Sequence, residues 1–588
     1  HSFPTRRSSD LLNKHSVFRN VRAGQWKGPV KKSAVLLIFL IMGAGSTFAQ
    51  PHQPVVDKKL ATEFGKILVQ DRKGRTKPLY TLSHDVLRKV NRSNDFEGLN
   101  AMQVFLSLHY DYRNWQDVPI IKVSHAGLRD VIGMEGKYAA VSDLVDMQAK
   151  SYKLSSYVQK AYSKPSGERN DFDKEVIKVD ERVNICFMVI SGDFLKIFPL
   201  QDQPDQWGKP SDAAKHASGS QDSLFVSNIL SMFRQAALNG NTREAREYIR
   251  SVRDYQEKHS GYVLPSERKI EAEVFYYRSR IFERLFPYYA AVGIAMLILV
   301  MARILSGRET FSSVLNLFIG LIALGFAFQT AGLALRWYVS GHAPMSNGYE
   351  SMIFISWVIV LGGFLFVKKS KLTLAASAIL SSLTLMVAHL SFMDPEITNL
   401  VPVLKSYWLT LHVSVITSSY GFLGMGAILG LIILILYAVA SGKSHDHIID
   451  KIRDLTVINY RALTIGLYLL TIGTFLGAIW ANESWGRYWG WDPKETWSLI
   501  TIIVYSFVIH SRNIPGFQSL FAFNVISLFA FSSVLMTYFG VNYYLSGLHS
   551  YAGGEAVPVP AFVYVSVVVL LALSFYAYRN RNKTFEIG

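Results

Sequence analysis

Tryptophan is concentrated in one short segment, residues 480–497, which holds five of the chain's 11 Trp residues. Glycines, Asp492 and Pro493 are interleaved with these rings. Tryptophan is also enriched at membrane–water interfaces, and such a belt would account for one or two of the five. Glycine lets backbone approach a flat ligand closely, and indole rings offer broad apolar faces. The composition of this Trp-rich segment therefore favours a platform for a planar, amphipathic macrocycle over a simple interfacial belt.

Three histidines, His412, His510 and His549, flank the Trp-rich segment along the chain. Two neutral imidazoles can ligate haem iron from opposite faces of the macrocycle. His412 and His549 are predicted on the same side of a membrane as the Trp-rich segment, and His510 at the other end of a span. A single histidine in such a place is more commonly a hydrogen-bonded helix-end residue. Three of them around one Trp-rich segment favour the ligand interpretation.

Membrane-spanning helices must position these residues. A helix needs about 20 mainly apolar residues to cross the hydrocarbon core. Nine segments meet this condition approximately: 286–304, 312–335, 350–367, 372–392, 408–440, 462–480, 497–511, 517–543 and 560–578. A marginal apolar run at 33–49 is equally typical of an anchor and of a signal peptide. The sequence predicts a polytopic α-helical membrane protein with about nine to ten transmembrane helices.

The basic residues indicate how these helices are oriented. Lysine and arginine cluster in alternate connections, whereas 337–349 and 544–559 contain neither. By the positive-inside rule, the basic connections and the C-terminus are cytoplasmic. The Trp-rich segment then lies on the periplasmic side of an inner membrane. Part of the formal net charge of +17 thus reflects the topology of the membrane helices. The soluble regions contain no basic patch with interleaved aromatic residues, so the sequence does not indicate nucleic-acid binding.

The chain divides into five predicted parts: a basic cytoplasmic or non-native segment at 1–32, an anchor or signal at 33–49, an extracytoplasmic domain at 50–285, a transmembrane core at 286–580 and a cytoplasmic tail at 581–588. The extracytoplasmic domain is predicted to be mixed α/β and largely helical. Apolar spacing predicts helices at 99–110, 122–133 and 221–258, short buried strands at 183–190 and 194–199, and a loop at 203–220.

Two single residues of this domain also carry predictions. Ser266 is predicted to cap a helix that continues into the first span of the core. Cys186 is the only cysteine of the chain. Because it lies in an apolar run, we expect a buried side chain rather than a reactive thiol.

The Trp-rich segment resembles the WWD motif of the haem-handling proteins of cytochrome c maturation. That pattern, Trp-Gly-x-x-Trp-x-Trp-Asp-Pro-Lys-Glu, is filled here by Trp485, Gly486, Trp489, Trp491, Asp492, Pro493, Lys494 and Glu495. Supporting segments are 344–350, 401–412 and 543–549. The resemblance is to the CcsA proteins of System II, including the CcsBA fusions, and covers about 286–580. Residues 50–285 look like the extracytoplasmic part of a Bacteroidetes-type fused form.

The resemblance implies that the chain binds haem b as ligand and transported substrate. It implies that His412 and His549 are the axial ligands of the haem iron and that His510 is a transmembrane relay histidine. The implied haem platform consists of Trp485, Trp489, Trp491, Asp492 and Trp497. Arg487 or Lys494 would contact a haem propionate, with interfacial snorkelling as the equal alternative.

The implied function is delivery of haem to the outer membrane face and its covalent attachment to the Cys-x-x-Cys-His motif of apocytochrome c. The chain would act as a haem lyase, alone or within a complex. Expected partners are apocytochrome c, a CcsB/ResB-type half, a thiol-reducing protein and the lipid bilayer. Alternatives are a haem exporter or presenter without ligation activity, and a b-type electron-transfer protein. A System I relative fits less well, because a large soluble domain precedes the core.

Overall fold

The computed structural model describes residues 56–146, 151–306, 311–390, 393–400, 404–440, 445–545 and 559–585. The predicted segments 1–32 and 33–49, and the predicted ligand His549, lie outside the described residues.

Helices dominate the N-terminal domain, residues 56–279. Side-chain caps start several of them, as where Asn170 accepts a hydrogen bond from the backbone N–H of Asp173 at 2.8 Å. The helices are α1 (Lys58–Phe64), α2 (Leu79–Asn91), α3 (Ala101–Tyr110), α4 (Tyr112–Trp115), α5 (Ala126–Ile132), α6 (Val141–Leu144), α7 (Ser155–Ser163), α8 (Asp171–Ile190), α9 (Pro210–Ala213), α10 (Ser220–Leu238), α11 (Thr242–His259) and α12 (Glu267–Ser279), with a 3₁₀ turn at Ser166–Glu168.

Short antiparallel hairpins supply the β-structure of this domain. Each strand pairs with its neighbour in the chain, so the described residues form five two-stranded sheets. The pairs are β1 (Leu68–Gln70) with β2 (Thr76–Pro78), β3 (Asp95–Phe96) with β4 (Leu99–Asn100), β5 (Ile121–Lys122) with β6 (Tyr138–Ala139), β7 (Val145–Asp146) with β8 (Ser151–Tyr152), and β9 (Phe198–Leu200) with β10 (Gln203–Gly208).

The helices predicted at 99–110 and 221–258 are confirmed as α3 and as α10 followed by α11. The Ser266 cap is confirmed too, since its hydroxyl accepts from the backbone N–H of Lys269 at 3.4 Å. The helix predicted at 122–133 is shorter, because residues 121–122 pair as β5 and α5 begins at Ala126. The predicted loop at 203–220 was wrong in part, since it contains β10 and α9.

The strand predicted at 183–190 was wrong, because these residues form the last two turns of α8. A short apolar run does not by itself distinguish a buried strand from one face of a helix. The capping box at Asn170 starts the helix, and Val179, Val183 and Cys186 lie on its buried face. Burial of Cys186 is confirmed, and it raises the pKa of the thiol to about 12. The thiolate, which is the reactive form of cysteine, is therefore scarce at neutral pH.

His84 on α2 makes this domain sensitive to acid. Burial, together with Arg88 and Arg280, lowers the pKa of its imidazole to about 3. The folded state therefore holds the ring neutral, whereas an unfolded chain protonates it below about pH 6.5. Stability that is fully present at pH 7 is lost as the pH falls. From pH 6.5 to 5 the loss is about 2 kcal/mol, at 1.4 kcal/mol per pH unit.

Substituting His84→Phe should remove this contribution while keeping a ring against Tyr277, whose centroid lies 5.1 Å away. The measurement is the free energy of unfolding of the purified chain and of the variant at pH 7 and pH 5. We expect the chain to lose about 2 kcal/mol more than the variant over that interval. Identical pH dependence in both proteins would contradict the buried neutral histidine.

The transmembrane core follows as a bundle of long apolar helices. They are α13 (Ile281–Ser306), α14 (Ser312–Ser340), α15 (Gly348–Phe366), α16 (Lys371–Ala388), α17 (Tyr407–Val439), α18 (His445–Trp485), α19 (Pro493–His510), α20 (Leu520–Leu535), α21 (Val541–Tyr544) and α22 (Ala561–Phe585). A 3₁₀ turn at Ser511–Asn513 follows α19, and a π-helical stretch at Met536–Gly540 joins α20 to α21. The end of the bundle that carries the Trp-rich segment is called its outer end.

Eight of these helices are long and apolar enough to cross a membrane by length and composition, within the described part of the chain. This confirms a helical, polytopic membrane protein. Eight of the nine segments predicted between 286 and 578 are among these helices, and the marginal segment at 33–49 lies outside the described residues. The ninth is the segment predicted at 497–511, which forms α19. Its 18 residues include Pro493, Lys494, Glu495 and His510, and these polar residues lower its mean hydropathy. The predicted tail at 581–588 is helical as far as Phe585, where α22 ends.

The domain and the core meet without a linker. Only Arg280, in a left-handed conformation with φ of 47°, separates α12 from α13, so the first core helix begins before the predicted residue 286. Nearby, Arg336 of α14 is fully buried and donates to the Glu350 carboxylate at 2.8 Å. The same guanidinium donates to the hydroxyl of Tyr276 on α12 and to the carbonyl of Pro395. One buried ion pair thus joins the domain, two core helices and the 393–400 connection.

A second buried cluster lies at the same junction. The Lys77 ammonium is 2.9 Å from Asp85 and 3.0 Å from Glu396, and its side chain is 1% exposed. Burial raises the pKa of Asp85 to about 6, against the lowering effect of Lys77. Since Glu396 lies in the connection between α16 and α17, this cluster fastens the N-terminal domain to the chain that leads into α17.

Candidate functional site

His412 lies in the second turn of α17, in close contact with α18. Its Nδ1 is 2.7 Å from the carbonyl oxygen of Gly473. Because a carbonyl only accepts, Nδ1 carries the proton, and the lone pair of this tautomer is on Nε2. A backbone acceptor that fixes one ring nitrogen while the other is a ligand is the usual arrangement around metal-binding histidines.

Glycines on α18 make room for this ring. A Cβ at Gly477 would lie 2.6 Å from Cε1 and 2.7 Å from Nδ1 of His412, closer than real Cβ contacts come. A Cβ at Gly473 would lie 3.0 Å from the backbone nitrogen of Ile416. The two helices therefore approach closely because α18 has no side chains at these positions, as small residues allow in membrane bundles.

Aromatic rings surround the His412 site at the end of α18. The imidazole lies parallel to the indole of Trp480, with an interplanar angle of 7° and centroids 6.4 Å apart. Trp480 is buried and meets the half-buried Trp485 edge-on at 4.8 Å. The structure thus brings together one predicted ligand, one predicted platform residue and a tryptophan not assigned a role from the sequence.

The turn after α18 presents a second pair of tryptophans. Trp489 and Trp491 lie perpendicular to each other with centroids 5.8 Å apart. Trp491 has a φ of 56°, a left-handed conformation that is uncommon for a bulky residue, and its side chain is 69% exposed. Residues held in such strained conformations cluster at functional sites. The exposed ring at a strained position makes this turn a candidate binding surface.

A capping box orders the same turn. Asp492 caps α19 by accepting from the backbone N–H of Lys494 at 3.0 Å. Glu495 reaches back, and its Oε2 accepts from the backbone N–H groups of Gly490 and Asp492 at 2.7 and 3.2 Å. Arg487 Nη1 lies 3.6 Å from Oε1 of Glu495. Glu495 therefore holds the turn in which both Trp489 and Trp491 lie.

The two basic residues predicted to contact propionates differ in their surroundings. Arg487 lies over the ring of Trp485, 5.9 Å from its centroid. Its guanidinium occupies the position where any Cβ at Gly490 would stand. Lys494 extends along the bundle and donates to Oδ1 of Asn542 at 3.0 Å. Arg487 thus lies beside the tryptophans, whereas Lys494 braces α19 against α21.

The remaining predicted residues in the described part of the chain, Trp497 and His510, lie on α19. Trp497 is half-buried on α19, and its carbonyl accepts from the hydroxyls of Thr501 and Thr537. His510 is exposed at the inner end of α19, where its Nδ1 is 2.8 Å from the carbonyl of Ser506. The 18 residues of α19 separate it from the Trp-rich turn by about 26 Å at 1.5 Å per residue. His510 therefore lies at the opposite end of the bundle from the Trp-rich turn.

Sequence reasoning assigned no role to Gly473, Gly477, Trp480 and Glu495. A signal for Glu495 was present, because Asp492-Pro-Lys-Glu495 has the spacing of a capping box. The glycines gave a weaker signal, a four-residue spacing of small residues within an apolar helix. No local pattern shows that they face His412, since that contact joins residues 61 positions apart.

Comparison with known proteins places this arrangement in a class. Residues 345–549 match the family described as "Cytochrome C assembly protein", a range that includes the Trp-rich segment and all three flanking histidines. Cytochrome c biogenesis protein CcsA of Prochlorococcus marinus subsp. pastoris is 36% identical over 266 residues, which are 41% of this chain and 83% of that protein. CcsA of Chlamydomonas reinhardtii is 39% identical over 230 residues, 37% of this chain and 64% of that protein. The chain belongs to the CcsA family of cytochrome c biogenesis proteins.

Similarity also extends beyond the core. Protein NrfI of Wolinella succinogenes is 42% identical over 564 residues, which are 93% of this chain and 62% of that protein. The chain therefore spans less than two thirds of the length of this relative. Because the match covers nearly the whole chain, the N-terminal domain is shared with NrfI as well as the core.

Proposed function

We propose that this chain binds haem b at its outer end and presents it for covalent attachment to the Cys-x-x-Cys-His motif of apocytochrome c. The observation that carries the proposal is the placement of His412. Its tautomer is fixed by Gly473, its ring is parallel to Trp480 and its space is provided by Gly477. His549 would be the second axial ligand.

The residues of the Trp-rich segment have distinct proposed roles. Trp485, Trp489 and Trp491 pack against the apolar porphyrin, while Asp492 and Glu495 hold the turn that presents them. Arg487, which lies beside Trp485, pairs with a propionate. Trp497 supports the platform from α19, and Lys494 acts through Asn542 in positioning that helix. His510 receives haem at the inner end before it reaches the outer site.

The attachment reaction needs positioning more than a protein nucleophile. Each substrate thiol adds across one haem vinyl group, with sulfur bonding one carbon and the proton going to the other. No oxidant is consumed, and the substrate supplies both thiols. Holding the vinyl edge against the two thiols converts an encounter in solution into a local one, which supplies much of the rate. The substrate histidine then replaces one axial ligand.

The proposed orientation places the outer end in the periplasm and the C-terminus in the cytoplasm of an inner membrane. The basic connections at the inner end support it by the positive-inside rule. The proposed partners are apocytochrome c, a CcsB/ResB-type half and a thiol-reducing protein. The N-terminal domain lies on the same side as the outer site, where an apocytochrome arrives.

An absorption spectrum of the detergent-purified chain, as isolated and after reduction, tests haem binding. A six-coordinate, low-spin haem is expected, and a preparation that neither carries nor takes up haem would refute the proposal. A second assay adds haem, reductant and a Cys-x-x-Cys-His peptide. A covalent thioether product supports haem-lyase activity, whereas haem binding without product supports a presenter that acts with another protein.

The close approach at Gly477 gives a sharper test of the His412 site. Gly477→Ala should displace the imidazole, because its new Cβ falls within 2.7 Å of two ring atoms. Overpacking of this kind costs about 1–3 kcal/mol, which weakens haem binding by about 5- to 150-fold. The measurement is haem affinity of the purified variant.

Gly320→Ala on α14 is the matched control, since nothing lies within 4 Å of a Cβ placed there. We expect that variant to bind haem as the unaltered chain does. Equal haem affinity in Gly477→Ala would show that His412 is not held in the described position when haem is bound.

A further inference from the structure

A cavity at the inner end of the bundle is lined by basic and apolar residues. It has a volume of about 640 Å³ and opens between the ends of α13, α14, α16 and α18 and the connection after α15. Its cationic lining residues are Arg303, Lys368, Lys369, Lys371 and Lys451, with His447 beside them. The single carboxylate of the lining is Asp454. Among the described lining residues, five cations thus accompany one carboxylate, which favours a negatively charged occupant.

Local contacts neutralise only part of this charge. Lys451 lies 3.4 Å from Asp454, and Lys371 donates to the side-chain oxygen of Asn316 at 3.0 Å. Lys368 and Lys369 are exposed and have no carboxylate within ion-pair distance among the described residues. At least two ammonium groups therefore meet the cavity without an anionic partner from this part of the chain.

The positive-inside rule accounts for basic residues at this end, but not for their convergence on one cavity. Two other basic residues at the inner end pack on rings instead. Arg512 lies 4.9 Å from the ring centroid of Tyr460, and Arg581 lies 3.9 Å from that of Tyr578. Two lysines before α16 and one on α18 instead line the same cavity.

Apolar side chains also line the cavity. They include Ile304 of α13, Leu315 of α14 and Leu372 of α16. On the same helices, Ile298 and Leu317 are each 61% exposed and face outward from the bundle. A ligand with an anionic head and long apolar chains would place its head among the lysines and its chains along α13 and α14.

We propose that this cavity is a binding site for the phosphate headgroup of an anionic phospholipid. Basic pockets between transmembrane helices at the cytoplasmic membrane face are suited to such headgroups, since phosphodiester oxygens accept from several ammonium groups at once. In the proposed orientation the cavity lies at the cytoplasmic ends of the helices, which is where lipid headgroups lie. The site is separate from the aromatic cluster at the outer end and is independent of haem binding.

The test uses the full-length chain in detergent and the variant Lys368→Gln, Lys369→Gln, Lys451→Gln. Native mass spectrometry measures retained lipid, and thermal unfolding is followed with added phosphatidylglycerol, cardiolipin or phosphatidylcholine. We expect the unaltered chain to retain anionic lipid and to be stabilised by it, but not by phosphatidylcholine. The variant should bind anionic lipid about 100-fold more weakly. The control removes equal charge at exposed domain lysines, by Lys58→Gln, Lys59→Gln and Lys258→Gln.

Three outcomes would overturn the proposal. The first is equal lipid retention in the variant and in the unaltered chain. The second is an equal, variant-sensitive stabilisation by inorganic phosphate alone, which would show a free-anion site. The third is displacement of bound lipid by haemin at this cavity, abolished in the variant, which would show a haem-loading site. Substituting the three lysines by arginine should restore lipid binding and confirms that charge, rather than folding, was lost.

Discussion

Replacing His412 by alanine is expected to abolish the low-spin haem spectrum of the purified chain and to stop cytochrome c assembly. The imidazole is the only part of the proposed site that bonds the iron from α17. Gly473 and Trp480 position that ring but offer no ligand in its place. A haem that keeps only His549 as an axial ligand would be five-coordinate or lost during purification. His549→Ala should likewise abolish the low-spin spectrum, and the double substitution should leave no bound haem.

His389→Ala is the matched control for these variants. His389 is an exposed residue that ends α16 on the outer side, and it has no contact with the aromatic cluster among the described residues. We expect its haem content to equal that of the unaltered chain. Added imidazole should restore haem binding to His412→Ala, because the cavity left by the side chain admits the free ligand. Unchanged haem and assembly in the double variant would remove the axial-ligand assignment.

Glu350→Gln should destabilise the chain by about 3–5 kcal/mol, because it leaves the Arg336 charge buried without a counter-charge. The pair is almost completely inaccessible, with exposures of 0% and 1%. Ser346 donates to the Glu350 carboxylate from both its backbone N–H and its hydroxyl, at 2.7 Å each. The loss would appear as a lower unfolding temperature of the purified protein. Limited proteolysis would also cleave the chain faster between the N-terminal domain and the core.

A double substitution separates the charge from the packing. Arg336→Met together with Glu350→Gln removes both charges, and replacing a buried pair costs far less than breaking it. We expect the double variant to regain most of the lost stability, short of the hydrogen bonds to Tyr276 and Pro395. A single variant as stable as the unaltered chain would show that the pair is solvated in the protein.

The sequence predicted correctly those helices and caps that are determined by residues close together in the chain. Apolar runs about 20 residues long became the helices of the core, and the Ser266 cap became the start of α12. The Asp492 cap has the same local character, since donor and acceptor lie within one turn. The strand predicted at 183–190 was wrong because a short apolar run can form either a buried strand or the buried side of a helix such as α8. The helix that contains this segment starts at the Asn170 cap, 13 residues before residue 183.

The features that the sequence did not predict depend on distant partners. Arg336 meets Tyr276 and Pro395, which lie 60 and 59 positions away. Gly477 accommodates a ring that belongs to another helix. The residue types of the aromatic site could be recognised, but the contact of His412 with Trp480 required the packing of α17 against α18. The ligand assignments themselves stay predictions until haem is measured.

The buried cluster of Lys77, Asp85 and Glu396 has a consequence for the order of events during biosynthesis. Glu396 is separated from Lys77 by 319 positions. At an elongation rate of about 5–20 residues per second, the ribosome needs roughly 15–60 seconds to reach Glu396 after Lys77. During that interval four core helices must be inserted, and Lys77 has only its partners within the N-terminal domain, Asp85 and Asp71. Completion of the N-terminal domain is therefore coupled in time to insertion of α13–α16, and a chain stalled before residue 396 would display an unfinished domain to proteases.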